Sequence, residues 1–77
     1  MEDNAKLERS SIAVILNGKR RDVASDQTIA GLLDDLDLRE RLVVVERNGS
    51  IVNRADFATT SLEVGDVLEV VHFVGGG

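Results

Sequence analysis

The sequence contains no cysteine, and its only aromatic residues are Phe57 and Phe73. The absence of cysteine excludes disulfides, thiolate metal sites and a cysteine nucleophile, and it fits a reducing compartment. With so few aromatic side chains, Val, Leu and Ile have to form the core. Because β-branched residues pack well on pleated surfaces, this composition favours a fold that combines a sheet with a helix.

Long apolar runs and clustered positive charges are lacking too. No run approaches the roughly 20 apolar residues of a membrane span, so we expect no membrane partner. Residues 1–10 are polar and have no apolar signal segment, which predicts a flexible lead-in and a cytoplasmic protein. The net charge is −5 and the basic residues are scattered among acidic ones. This pattern argues against nucleic-acid binding and suits a protein partner with a basic surface.

What the sequence does contain is a series of short β-rich runs. Ile12 to Asn17 is followed by Asn17-Gly18, a strong two-residue hairpin signal, and residues 19–24 form the expected return strand. Alternation places Ile12, Val14 and Leu16 on one face, which we assign to the core.

A single helix is predicted within SDQTIAGLLDDLDL, residues 25–38. Asp26 or Thr28 can cap its start. Gly31 either permits a close approach to the sheet or is merely tolerated. An apolar stripe at helical spacing faces the core; it consists of Ile29, Leu32, Leu33 and Leu36.

The second half predicts three more strand segments. Leu42 to Arg47 precedes a second Asn-Gly turn, and Ile51 and Val52 begin a short return. Residues 53–61 are irregular, with Phe57 as their large apolar anchor. Residues 64–66 form a turn, and Val67 to Val74 is the last strand. One helix covers only one face of a sheet. By analogy, this order of elements suggests a β-grasp, in which the last strand pairs with the first.

Three stretches carry a family resemblance: ILNGK at residues 15–19, VVVERNGSIVNR at 43–54 and LEVGDVLEVVHFVGGG at 62–77. Together with the Leu-rich helix they resemble the ThiS-type sulfur carriers of thiazole formation in thiamin biosynthesis. The resemblance implies an α+β, ubiquitin-like β-grasp with a mixed sheet of four to five strands and one main helix packed on one face. The domain would span residues 11–74 and a flexible tail residues 75–77.

The resemblance also implies a reaction cycle at the tail. An adenylating, ThiF-type partner would use ATP and Mg²⁺ to activate the carboxylate of Gly77. A persulfide donor would then convert it to a thiocarboxylate, and a ThiG-type thiazole synthase would accept the sulfur. The chain has no phosphate loop, so ATP and Mg²⁺ belong to the partner, and the chain itself is expected to bind no cofactor and to be no enzyme. Gly75 and Gly76 would let the tail enter a narrow channel, since they lack Cβ atoms.

Alternation along the last strands suggests a docking surface beside this tail. Leu68 and Val70 point inward, which leaves outward-facing residues on the last and middle strands. We interpret that outward surface as the contact for both partner enzymes; its residues are Val44, Glu46, Val71 and Phe73, and Val74 at the end of the strand is added as a further contact residue. The alternative is an ordinary scatter of exposed apolar residues.

Other candidate sites are weaker. His72 has no visible nucleophile or orienting partner, and the spacing of Asp34, Asp35 and Asp37 is not that of a calcium loop, so no metal site is expected. Two alternatives stay open. One is a related carrier or modifier in molybdopterin synthesis, tRNA thiolation or protein conjugation. The other is a β-grasp interaction module with no chemistry at its end.

Overall fold

The computed structural model describes residues 10–38 and 42–73. Within these ranges lie five strands, one α-helix and a 3₁₀ turn at Arg54–Asp56. The elements are β1 (Ser11–Leu16), β2 (Lys19–Ala24), α1 (Ile29–Asp35), β3 (Val43–Arg47), β4 (Ser50–Val52) and β5 (Val67–His72). The strand order is β2-β1-β5-β3-β4. β1 and β5 are parallel and the other neighbours antiparallel, which confirms the predicted β-grasp.

Both predicted Asn-Gly turns are present. Asn17 and Gly18 have φ values of 50° and 84°, and Asn48 and Gly49 have 52° and 88°. Positive φ at both central residues is what a two-residue hairpin of type I′ requires, because its twist matches that of the flanking strands. The turns therefore fix the register of the β1–β2 and β3–β4 hairpins.

The free N–H groups at the start of α1 are capped by a side chain and by a distant loop. Of the two candidate caps, Thr28 is the one used: its hydroxyl accepts a hydrogen bond from the Gly31 N–H at 3.0 Å. The other two N–H groups of the first turn bond to carbonyl groups of the irregular segment after β4. Ile29 donates to the Thr60 carbonyl and Ala30 to that of Phe57. The loop that follows β4 is thereby anchored to the helix start.

The suggestion that Gly31 lets α1 approach the sheet is wrong. A Cβ at this position would lie 3.0 Å from Oε1 of Gln27 and 3.4 Å from the Thr28 hydroxyl. The close neighbour is therefore the segment that leads into the helix. The Gln27 side chain crosses this space to donate to Asp35 at 2.8 Å.

The core lies between α1 and one face of the sheet. The predicted inward faces of β1 and β5, the inward residues of β3 and the helix stripe supply most of it, together with Phe57 and Leu62 from the loop. The buried apolar residues are Val14, Val23, Ile29, Leu32, Leu33, Val43, Val45, Phe57, Leu62, Leu68 and Val70. Ile12, Leu16 and Leu36 are partly buried against this cluster. No helix in the described ranges is both long and apolar enough to cross a membrane.

Several strand limits differ from prediction. β1 begins at Ser11 and ends before Asn17, β3 begins at Val43 and β4 begins at Ser50. β5 ends at His72, although the Phe73 N–H still donates to the Leu42 carbonyl at 3.1 Å. The predicted lead-in at residues 1–9 and the residues from Val74 onward lie outside the described ranges.

One end of the sheet is held together by Asp66, the buried charged side chain of the described residues. Its carboxylate accepts hydrogen bonds from Arg47 Nε at 2.8 Å, Asn48 Nδ2 at 3.0 Å and the Glu63 N–H at 2.8 Å. Its carbonyl accepts from the Ile15 N–H at 2.9 Å. Burial alone raises the pKa of Asp66, but the hydrogen bonds from Glu63, Asn48 and Arg47 together hold the pKa below its usual value.

Replacing Asp66 with Asn should destabilise the fold by about 2 kcal/mol at pH 7, because an amide group would face three donors. Folding lowers the pKa of Asp66, so this contribution is complete above the reference pKa of 3.8 and disappears as the pH falls through the lower folded pKa. Urea unfolding between pH 7 and pH 2 should show the parent and Asp66→Asn converging in acid.

The matched control is Asp22→Asn. Asp22 pairs with Arg20 at 3.2 Å, but both side chains are more than half exposed, so we expect almost no change in stability. Equal stability of the parent and Asp66→Asn at pH 7 would contradict the assigned role.

Candidate functional site

The predicted reactive group, the carboxylate of Gly77, lies outside the described residues with Val74, Gly75 and Gly76. The described part of the site is the strand that leads to them, β5, and the sheet surface beside it. This geometry determines how the end of the chain is anchored.

The backbone of β5 is bonded alternately to two neighbours. The Val67 carbonyl accepts from the Asn48 N–H at 2.7 Å, and the Phe73 N–H donates to Leu42. The backbone N–H and C=O groups of the odd-numbered residues therefore point toward β3. The Leu68 carbonyl accepts from the Asn17 N–H at 2.9 Å, so the backbone groups of the even-numbered residues point toward β1. The parallel ladder itself is short, because only two residues of β1 pair with β5.

The side chain of Asn17 lengthens this short ladder. Its Oδ1 accepts from the Val70 N–H at 2.8 Å, and its Nδ2 donates to the Val70 carbonyl at 3.2 Å. The amide thus supplies the acceptor and donor that a further residue of β1 would supply if the chain did not turn at Gly18. Sequence reasoning placed Asn17 at the end of the strand and in the turn but missed this bridge, because its partner lies 53 residues away.

The predicted docking residues lie on the sheet face opposite α1. Val44 and Val71 are directly opposite each other, as are Glu46 and Glu69. Val44, Val71 and Phe73 are 39%, 56% and 53% exposed. Val74 lies outside the described residues.

The same face carries further apolar residues that the predicted docking set leaves out. Leu42 is 64% exposed, Ile51 66% and Val67 44%. Alternation along β3 and β5, and the pairing of Ile51 with Glu46, place all three on this side. We call this surface the open face; its residues are Leu42, Val44, Glu46, Ile51, Val67, Glu69, Val71 and Phe73.

The weaker candidates are not grouped into a site. His72 lies opposite Val43 and is exposed. Among residues 10–38 and 42–73, no three His, Asp or Glu side chains lie close enough together to hold a metal ion.

Comparison with known proteins identifies the family. The family model of ThiS matches residues 14–77. This chain belongs to the ThiS family. It is 43% identical over 63 residues to the sulfur carrier protein ThiS of Bacillus subtilis, a match that covers 80% of this chain and 96% of that protein.

Two further likenesses concern a longer protein and a solved structure. A thiazole synthase of Paramagnetospirillum magneticum is 39% identical over 64 residues, which are 83% of this chain and 20% of that protein. This chain thus spans about a fifth of the length of that relative. The crystal structure of the thiamine biosynthesis protein ThiS from Geobacter metallireducens superposes with a TM-score of 0.72 at 33% identity, covering 86% of this chain and all of that one.

Replacing Asn17 with Gly tests whether its amide anchors β5. Glycine tolerates the positive φ but removes the bridge, so the Val70 amide should exchange with deuterium at least about tenfold faster, as expected for the loss of about 1.4 kcal/mol of local protection. The Leu32 amide in α1 should change less.

Asn53→Gly is the control, because Asn53 is an exposed loop residue whose side chain makes no capping hydrogen bond. Equal exchange of Val70 in Asn17→Gly and in the parent would show that the bridge contributes nothing in solution.

Proposed function

We propose that this chain is a sulfur carrier for thiazole formation in thiamin biosynthesis, and that the carboxylate of Gly77 carries the sulfur. The observation that supports this most directly is the family match, which extends through Gly77. Two relatives, one named a sulfur carrier protein and one a thiazole synthase, fit the same pathway.

The chemistry follows from what a carboxylate lacks. Its oxygen is a poor leaving group, so an adenylating partner of the ThiF type first joins it to the α-phosphate of ATP and releases pyrophosphate. The terminal sulfur of a persulfide then attacks the acyl carbon and AMP leaves. A thiol of the donor system cleaves the resulting S–S bond, which leaves a thiocarboxylate on Gly77 and a disulfide on the donor.

The chain acts here as a protein co-substrate. Activation of ATP needs positioned cations and Mg²⁺, and the sequence has neither a phosphate loop nor a cysteine that holds sulfur. The adenylating enzyme therefore supplies the nucleotide site, and a ThiG-type thiazole synthase accepts the sulfur. Gly75 and Gly76 allow the tail to lie extended in a narrow channel, because no Cβ atom blocks the approach of catalytic groups.

The open face is the surface we assign to docking. Val44, Val71 and Phe73 lie beside the point at which β5 ends, so an enzyme that covers them is close to the emerging tail. Exposed apolar residues that are contiguous in this way commonly mark protein interfaces, and central aromatic residues contribute much of the binding energy.

The carrier function predicts a specific change in mass. Incubation with the adenylating enzyme, ATP, Mg²⁺ and a persulfide donor should add the mass difference between sulfur and oxygen, and fragmentation should locate it at Gly77. A chain without Gly76 and Gly77 is the control and should stay unmodified. An unchanged mass in the full chain, under conditions that convert a known carrier, would favour the plain interaction module.

The docking role predicts that Phe73→Asp weakens binding to the adenylating enzyme by about tenfold or more and leaves the fold intact, because half of the Phe73 side chain is exposed. Calorimetric titration and urea unfolding measure the two effects. The control is Val64→Asp, at the other end of β5 and 71% exposed, which should bind normally. Loss of folding in Phe73→Asp would contradict the assignment of Phe73 to the docking surface.

A further inference from the structure

The open face has two carboxylates at its centre. The register of β3 and β5 sets Glu46 directly opposite Glu69, and such residues have Cβ atoms about 5 Å apart on the same face. Like charges in this position destabilise a sheet. The fold therefore retains an unfavourable pair on its exposed surface.

No described cation neutralises this pair. Arg47 is bound by Asp66 on the other side of the sheet. Arg20 lies two strands away and pairs with Asp22. Within residues 10–38 and 42–73, neither glutamate has a side-chain hydrogen bond or an ion pair. Among the described residues, the negative charges of Glu46 and Glu69 therefore have no paired cation.

The surroundings of the pair are apolar. Val44 and Val71 occupy the next outward positions toward the end of β5, Val67 lies on the other side of Glu69, and Ile51 is opposite Glu46 on β4. A protein that covers these residues also removes water from both carboxylates. Loss of hydration is costly unless a positive charge replaces it, so an apolar partner surface is the wrong complement.

We propose that the partner surface that covers the open face inserts an arginine between Glu46 and Glu69, within a ring of apolar side chains. A planar guanidinium can donate to both carboxylates at once, and it is desolvated more easily than an ammonium group. This inference rests on the proposed function for the identity of the partner, which we take to be the adenylating enzyme.

The proposal predicts that changes in the pair raise stability and weaken binding. A structural role of the pair predicts that both stability and binding are lost. Glu69→Gln removes the repulsion, and Glu46→Lys converts it into an attraction across the strands. Both variants should therefore unfold at a higher urea concentration than the parent. The same changes remove the partner's counter-charge, so the Kd for the adenylating enzyme should rise about tenfold for Glu69→Gln and further for Glu46→Lys.

The experiment is a calorimetric titration of each purified full-length variant into the adenylating enzyme from the same organism, with urea unfolding of the free chains alongside. Glu63→Gln is the matched control, because it removes one negative charge from an exposed glutamate outside the open face. Its Kd should stay within about twofold of the parent, as expected for a charge outside the interface.

The outcomes distinguish this inference from the function on which it rests. If the parent is adenylated but Glu69→Gln and Glu46→Lys bind as tightly as Glu63→Gln, the arginine contact is wrong and the carrier function stands. If both variants lose stability along with binding, the pair is structural and the inference is overturned. If the parent is neither bound nor adenylated, the proposed function fails and the inference fails with it.

Discussion

The structure depends on the backbone hydrogen bonds that hold β5 between β1 and β3. On the β3 side they continue as far as Phe73, whereas on the β1 side they end at Val70, where Asn17 replaces the missing strand with its amide. The β1 side therefore stops supporting β5 earlier than the β3 side does. The proposed carrier function would need an end fixed in a central strand and a terminus that is able to enter another protein's active site.

The second constraint is that a single helix covers a single face of a five-stranded sheet. α1 and the loop around Phe57 bury the inward residues of β1, β3 and β5, and the described residues place nothing over the outward face. Exposure of Val44, Val71 and Phe73 is thus a consequence of chain length and topology. Because these residues lie beside the end of β5, the proposed docking there would place a partner next to the tail.

Local patterns predicted most of this fold. The Asn-Gly turns, the alternation along β3 and β5 and the apolar stripe of α1 each depend on neighbours in sequence, so the sequence reveals them directly. Asp66 and the Asn17 bridge were missed because their partners are distant in sequence and meet only when β1, β3 and β5 assemble. The apolar part of the candidate site was predictable from alternation. The opposition of Glu46 to Glu69 was not, because it requires the register between β3 and β5.

The charge pair also bears on the binding of a second copy of this chain to the exposed apolar surface. A two-fold dimer brings the same patch to both sides of the interface, so dimerisation through the open face would place four carboxylates in one desolvated region. A partner with a basic group at that point would instead bring a positive charge to the two carboxylates. Repulsion of wrong partners and attraction of the right one both contribute to specificity, because specificity is a difference between affinities. Two facing glutamates in the free chain thus disfavour self-association through the open face.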